Sequence, residues 1–176
     1  MSICKLALAV PIALLTGMAA AEGPDRGQPL APDEIPFYAT YVMPDGRGLP
    51  EGSGTAAEGA EIFAAKCTTC HGKTGVEGPV MPPVGPNDIW PKAAGRYWPY
   101  ATTLFDYVRR AMPLDEPKSL DNDEAYALAA FILERNGVID ADVAMTAESL
   151  PGVKMPNSDN FLDVWATQGA KPWSGQ

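Results

Sequence analysis

The sequence predicts an all-α fold, a small domain of three to four helices over residues 55–137 with extended tails on both sides. Two helix-start patterns precede apolar residues spaced three and four apart, the spacing of one helix face. Most of the 18 prolines and 17 glycines among the 176 residues lie outside these stretches. No run alternates apolar and polar residues as a half-buried strand does, so the pattern favours helices joined by irregular segments.

The first 21 residues have the pattern of a secretory signal. Lys5 precedes an apolar run over residues 6–15, and three alanines end the segment at Ala21. The run is too short to span a bilayer, although a retained anchor is the alternative to cleavage. We expect cleavage after Ala21, loss of Cys4 with the signal, and a periplasmic protein with no membrane span.

The segment that follows, residues 22–54, predicts an extended arm, because its prolines and glycines favour open, solvated backbone. Several of its apolar side chains are expected to dock on the domain: Ile35, Phe37, Tyr38, Tyr41 and Val42. Thr55 and Glu58 then form a capping-box pattern, which predicts a helix over 56–66. Six prolines between residues 72 and 100 predict a wrapping loop there.

Two further helices are expected in the second half of the domain. The first runs over 103–111 and is stopped by Pro113. The second begins at Asp121, has Glu124 three residues later, and ends at Gly137, where glycine accepts a left-handed conformation at low cost. Residues 138–176 form a second tail, with these apolar anchors: Phe161, Leu162, Val164, Trp165 and Trp173.

Charge and residue counts exclude several classes of protein. The net charge of −9 and the pI near 4.5 make a nucleic-acid partner unfavourable, because a polyanion would be repelled. One histidine and three cysteines exclude two-histidine zinc sites and disulfide scaffolds. The charge is uneven: −6 over residues 22–65, +2 over 66–118 and −6 over 119–176. These acidic flanks could steer a basic partner, or could serve solubility alone.

The chemistry-bearing motif is Cys67-Thr68-Thr69-Cys70-His71, the C-x-x-C-H pattern of covalent c-type haem attachment. One helical turn places two thiols for addition to the haem vinyl groups, and the adjacent imidazole meets the iron. The alternatives are a thioredoxin-like dithiol, which needs a βαβ pattern that the sequence lacks, or a disulfide. We therefore expect one covalent haem c with His71 as an iron ligand.

The sixth ligand is chosen by elimination. No second histidine exists, so methionine, lysine, an N-terminal amine or an open site remains. Methionine is the usual partner of histidine in cytochromes c. Met112 is favoured because 41 residues separate it from His71, enough for the chain to return over the opposite face of the ring. Met81 and Met155 are the other candidates, and any methionine can instead fill an apolar gap.

Residues near Met112 are candidates for the haem propionates. Trp98 lies beside three further polar or aromatic residues, Arg96, Tyr97 and Tyr100, and Arg109 and Arg110 precede Met112. Hydrogen bonds and charge pairing would serve this role. The simpler interpretations are aromatic packing around the cofactor and favourable cations at a helix C-terminus.

As a set, these motifs resemble class I cytochrome c: Gly59-x-x-x-Phe63-x-x-x-Cys67-x-x-Cys70-His71, Gly78-Pro79, Met112-Pro113 and Leu128-x-x-Phe131. The resemblance implies that the first and last helices cross, with Gly59 and Phe63 against Leu128 and Phe131. It also implies that the Pro79 carbonyl orients the His71 ring.

A narrower resemblance extends into both tails, through MPDGRGLPEGSGTAAEGAEIFAAKC, YWPYATTLFDYVRRAMP and LPGVKMPNSDNF. These segments are similar to the SoxD-like cytochrome subunits of periplasmic sulfite and sulfane dehydrogenases. That resemblance implies a non-catalytic electron-transfer protein in sulfur oxidation, which accepts electrons from a molybdenum-cofactor subunit and passes them to a downstream cytochrome or oxidase. Those subunits typically carry a second haem domain, whereas this chain has one C-x-x-C-H motif.

Two other functions remain open at this point. The protein could carry electrons for another periplasmic dehydrogenase, such as a quinoprotein alcohol dehydrogenase. It could also be a catalytic or sensory haem protein with an open iron site, in which case no methionine would ligate the iron.

Overall fold

The structure is a computed structural model that describes residues 27–38, 41–86 and 92–161. The elements in chain order are α1 (Ile35–Tyr38), β1 (Ser53–Gly54), α2 (Ala56–Lys66), α3 (Thr68–His71), α4 (Ala94–Tyr97), α5 (Ala101–Ala111), α6 (Asn122–Arg135) and β2 (Met145–Thr146). Two 3₁₀ turns follow at Leu150–Gly152 and Ser158–Asn160. The predicted signal segment and the anchors Leu162, Val164, Trp165 and Trp173 lie outside the described residues.

Both capping boxes are present, which confirms where α2 and α6 begin. The Glu58 backbone N–H donates to Thr55 Oγ1 at 3.3 Å, and the Thr55 N–H donates to the Glu58 carboxylate at 2.8 Å. At α6 the Glu124 N–H donates to Asp121 Oδ1 at 2.8 Å, and its carboxylate accepts from the Asp121 N–H. Gly137 ends α6 with a φ of +67°, as its position predicts.

Helices α2 and α6 cross with their backbones in contact at Gly59. A Cβ atom on Gly59 would lie 2.0 Å from the Ala127 carbonyl oxygen and 2.7 Å from Phe131 Cβ. One turn along α2, the Phe63 ring stacks obliquely on the Phe131 ring, with centroids 4.9 Å apart. The helix crossing implied by the resemblance is confirmed, and the buried Leu128 belongs to the same core.

Helix α5 packs on the same helix α6 and completes the core. Phe105 of α5 and Tyr126 of α6 are fully buried, with ring centroids 4.3 Å apart. The Tyr126 hydroxyl donates to the Pro50 carbonyl at 2.9 Å and so fixes the arm against α6. Helix α5 ends at Ala111 as predicted but begins at Ala101, two residues before the predicted start.

The tails join the domain through a feature that the sequence does not predict. Strands β1 and β2 pair antiparallel, with Ser53 opposite Thr146 and Gly54 opposite Met145. Each strand is only two residues long, so it has no alternating pattern to detect. The predicted loop over 72–100 was wrong in one place, where residues 94–97 form the single turn of α4.

The aromatic and aliphatic anchors predicted for the tails are mostly exposed where the structure describes them. Ile35, Tyr38 and Tyr41 are exposed, Val42 packs against the core, and the Phe37 side chain lies outside the described part of the structure. Phe161 is also partly exposed, but its ring packs edge-on against Tyr97 with centroids 5.7 Å apart, so it does contact the domain as predicted. The C-terminal tail instead buries three aliphatic or thioether side chains completely: Met145, Leu150 and Met155. An unbranched methionine fills irregular core space that a bulky ring does not fit.

We predict that Gly59→Ala lowers the free energy of unfolding by about 1–3 kcal/mol, because the added methyl group requires α2 and α6 to move apart. In an open helix the same change would be stabilising. Urea denaturation followed by circular dichroism measures the difference. The matched control is Gly152→Ala, since a Cβ there meets nothing within 4 Å. Equal stability of the two variants would contradict the backbone contact.

Candidate functional site

A large apolar cavity of about 360 Å³ lies between the C-terminal end of α2, α5 and α6. Its size falls within the usual range of ligand and cofactor sites. Buried side chains of the three helices, and Leu120 from the turn between α5 and α6, form its walls: Phe63, Leu104, Val108, Leu128 and Ile132. Cys67, Cys70, His71, Trp98 and Met112 also line it, so five of the predicted site residues meet at one cavity.

The local fold explains why the two cysteines and the histidine reach the cavity together. Only Cys67 separates the end of α2 from the start of α3, whose turn is closed by the His71 N–H donating to the Cys67 carbonyl at 3.0 Å. Cys67 and Cys70 form no disulfide with each other. Burial raises the pKa of Cys67 to about 11. A thioredoxin-like dithiol needs a βαβ unit, whereas the described residues form helices and one short antiparallel strand pair.

His71 has a buried ring nitrogen with an unmet hydrogen-bonding requirement. Nδ1 is inaccessible to solvent and has no partner within the described part of the chain. Burial lowers the pKa of His71 and so favours the neutral imidazole. The nearby Met81 backbone has a smaller effect in the opposite direction, but it is not a hydrogen-bond partner of Nδ1 by the usual geometric criteria. A neutral imidazole is the form that binds metals.

The hydrogen bond expected from His71 to the Pro79 carbonyl is not present. The Gly78-Pro79 segment does run beside the motif, since a Cβ on Gly78 would lie 2.1 Å from the Cys70 carbonyl oxygen. Pro79 itself is exposed and does not line the cavity. Gly78 therefore packs against the backbone of the Cys70-His71 segment, whereas the neighbouring Pro79 is exposed.

The methionines separate into cavity and core positions. Met112 follows α5 directly, is half-buried and lines the cavity. Met81 also lines it but is 53% exposed. Met155 is 1% exposed in the core and does not line the cavity, so it fills apolar space. The structure thus leaves Met112 and Met81 as the methionines within reach of a group bound there.

The predicted propionate residues divide in the same way. Trp98 lines the cavity and packs edge-on against the Tyr107 ring, with centroids 5.2 Å apart. Arg109 does not line it: its Nε donates to Asn122 Oδ1 at 3.0 Å. Arg110 forms an ion pair with Asp106 instead. Neither arginine therefore faces the cofactor cavity.

Asn136 was missed by sequence reasoning. It is buried, and its amide donates to the Pro83 carbonyl at 3.0 Å and accepts from the Gly85 N–H at 3.1 Å. It also donates to the Ile132 carbonyl at 2.7 Å. Pro83 lines the cavity, so this amide fixes part of the wall. In sequence it stands beside Gly137 and looks like an ordinary end of a helix.

The metal-binding side chains at the cavity suit a cofactor that itself supplies most of the ligands of its metal ion. Across residues 27–38, 41–86 and 92–161, histidine, cysteine and acidic side chains form no cluster of three that could hold a bare metal ion. The cavity offers one imidazole and one or two thioethers, which suits the two axial positions of a haem iron.

Among the described residues, no helix has the length and apolar character needed to cross a membrane.

Comparison with known proteins gives the same answer. Residues 54–132 match the family model described as cytochrome c oxidase, cbb3-type, subunit III. A chain in the crystal structure of the sulfane dehydrogenase SoxCD from Paracoccus pantotrophus is similar, with 35% identity, a TM-score of 0.70, and coverage of 86% of this chain and 80% of that chain. No curated protein sequence matches. The chain therefore belongs to the class I cytochrome c family, electron-carrying proteins that bind haem c covalently, and it is similar to the SoxD-like type.

Proposed function

We propose that this protein is a periplasmic cytochrome with one haem that accepts single electrons from the molybdenum-cofactor subunit of a sulfite or sulfane dehydrogenase. It passes them to a downstream cytochrome or oxidase. The observation that carries this proposal is the extent of the similarity to the sulfane dehydrogenase structure. It covers 86% of the chain, well beyond residues 54–132 that match the family model.

Four residues of the cavity would hold the cofactor. Cys67 and Cys70 would form the thioether bonds, and His71 and Met112 would be the axial ligands. When bound, haem supplies reversible one-electron oxidation and reduction. In this proposal Met112 is preferred to Met81 because it is anchored at the end of α5 and is less exposed.

The protein tunes that chemistry through the surroundings of the site. The walls from α2, α5 and α6 are apolar and buried, so they exclude water and keep the local dielectric low. A thioether ligand and low solvent access both favour a high reduction potential. Fixed helices on three sides keep the ligand positions the same in both oxidation states, which suits electron transfer without bond chemistry.

The covalent attachment is tested by intact mass under denaturing conditions. We expect the exported protein to begin at Glu22 and to carry the mass of one haem. The variant Cys67→Ser should retain the haem through one bond, and the double variant Cys67→Ser/Cys70→Ser should lose it on denaturation. A native protein without the added mass would contradict the proposal, and so would one that carries two haems.

The sixth ligand is tested with three methionine variants. Met112→Ala should abolish the far-red absorption band of methionine-ligated ferric haem and lower the reduction potential, because the thioether is lost. Met155→Ala should keep the band but lose about 2–5 kcal/mol of stability, since Met155 fills the core. Met81→Ala is the control for the second cavity methionine. Loss of the band in Met81→Ala alone would assign the ligand to Met81 instead.

The electron donor is tested by stopped-flow reduction of the oxidised protein. The catalytic subunit of a molybdenum sulfite or sulfane dehydrogenase should reduce it faster than a quinoprotein alcohol dehydrogenase does. If acidic flanks steer a basic partner, the rate constant should fall as salt is added. A preference for the quinoprotein would favour the alternative dehydrogenase, and a rate independent of salt would exclude steering.

A further inference from the structure

A second, smaller cavity of about 100 Å³ lies beside the haem cavity and is lined mainly by cations. Its lining residues are Arg109, Arg110, Lys118, Leu120 and Asn122. Leu120 is the one residue that also lines the haem cavity. The small cavity therefore adjoins the cofactor cavity at the buried Leu120 side chain.

The two arginines of this cavity have partners of different charge. Asp106 pairs with Arg110, and its Oδ1 accepts from Arg110 Nε at 2.8 Å. Arg109 instead donates through Nε to the neutral amide of Asn122 at 3.0 Å. That hydrogen bond orients the Arg109 guanidinium group, but the neutral amide offsets none of the positive charge of the guanidinium. Lys118 adds another positive charge at the same cavity.

The backbone at Lys118 supports a role for its side chain. Lys118 has a φ of +66°, and it is the one non-glycine residue with positive φ in the part of the chain that the structure describes. Lys118 lies in the second of two consecutive turns. The Glu116 N–H donates to the Pro113 carbonyl in the first turn, and the Ser119 N–H donates to the Glu116 carbonyl in the second. Glycine or asparagine would hold this conformation at lower cost. Non-glycine residues in strained backbone conformations cluster at functional sites such as ligand-binding sites.

We propose that Arg109, Lys118 and Asn122 bind one small tetrahedral oxyanion, sulfate or phosphate. A guanidinium presents paired donors that match two oxygens of such an ion, and an ammonium contributes a charge from another direction. The Asn122 Nδ2 donates to the Glu51 carbonyl at 3.0 Å, and its Oδ1 accepts from Arg109, so the amide holds the arginine in place. The cavity volume suits an ion of this size rather than a larger organic ligand.

An anion in this cavity would be sensed at the haem, a step that rests on the proposed function. Leu120 lines both cavities, so the two lie side by side, and a negative charge near a cofactor stabilises its more positive, oxidised state. Occupancy should therefore lower the reduction potential. Because sulfate is the end product of sulfite oxidation, the site would make the carrier a weaker electron acceptor as product accumulates.

Binding is tested on the haem-loaded protein by isothermal titration calorimetry with sodium sulfate, with sodium phosphate as a second arm and sodium chloride keeping the ionic strength constant. We expect saturable binding of one ion, weakened about tenfold or more in Arg109→Gln and in Lys118→Asn. Lys118→Asn removes the charge but tolerates the backbone conformation. The control Arg47→Gln removes an exposed arginine that pairs with Asp45 and does not line this cavity. It should bind as the native protein does.

Three further results decide the inference. Lys118→Gly should raise the melting temperature and still weaken binding, which a purely structural lysine would not do. Sulfate should shift the reduction potential downward in the native protein and not in Lys118→Asn. Heats equal to those of chloride, or binding unchanged in both cavity variants, would overturn the inference. The proposed electron carrier would survive that result, because haem attachment and reduction by the dehydrogenase are measured independently of anion binding.

Discussion

The contact on which the rest of the structure depends is the backbone approach of α2 and α6 at Gly59. At this point the two helices are so close that a single Cβ atom would overlap the Ala127 carbonyl. The approach directs the C-terminal end of α2 towards the cavity, and α3 follows it without a loop. The positions of both cysteines and of His71 are therefore set by helix packing, two turns away from the glycine. A site built this way inherits the rigidity of the core.

Local signals in the sequence were sufficient for the three long helices and for the attachment motif. Capping boxes act within four residues, and the C-x-x-C-H pattern acts within one helical turn, so both can be recognised without tertiary structure. The tails could not be predicted as well, because their anchoring depends on partners far along the chain. Val42 donates its backbone N–H to Asp106, 64 residues away, and Met155 occupies a core gap that only the folded helices create. The Pro79 prediction depends on the exact path of the loop after His71, which the sequence does not specify, and His71 Nδ1 has no hydrogen-bond partner among the described residues.

The positions of the methionines in the structure narrow the choice of iron ligand further than the sequence does. The sequence favours Met112 and keeps Met81 and Met155 as candidates, whereas burial alone would favour Met155, which is almost completely enclosed. Enclosure among aliphatic side chains is a sign of packing, whereas a ligand must face the cavity. Only Met81 and Met112 of these three line it. The most buried thioether is thus the least suited to the iron.

The two cavities would give the protein separate means of control over its redox centre. Apolar walls on the side of the haem set the dielectric environment, and they are formed by the same side chains that stabilise the fold, so they cannot change without cost to stability. The cationic compartment lies outside that core, at the turn between α5 and α6, where Lys118 is exposed. Charge at this position can vary with the solution without any movement of the helices, since an electrostatic effect requires proximity and not repacking. A carrier built in this way keeps fixed ligands and low reorganisation while its driving force responds to the ions around it.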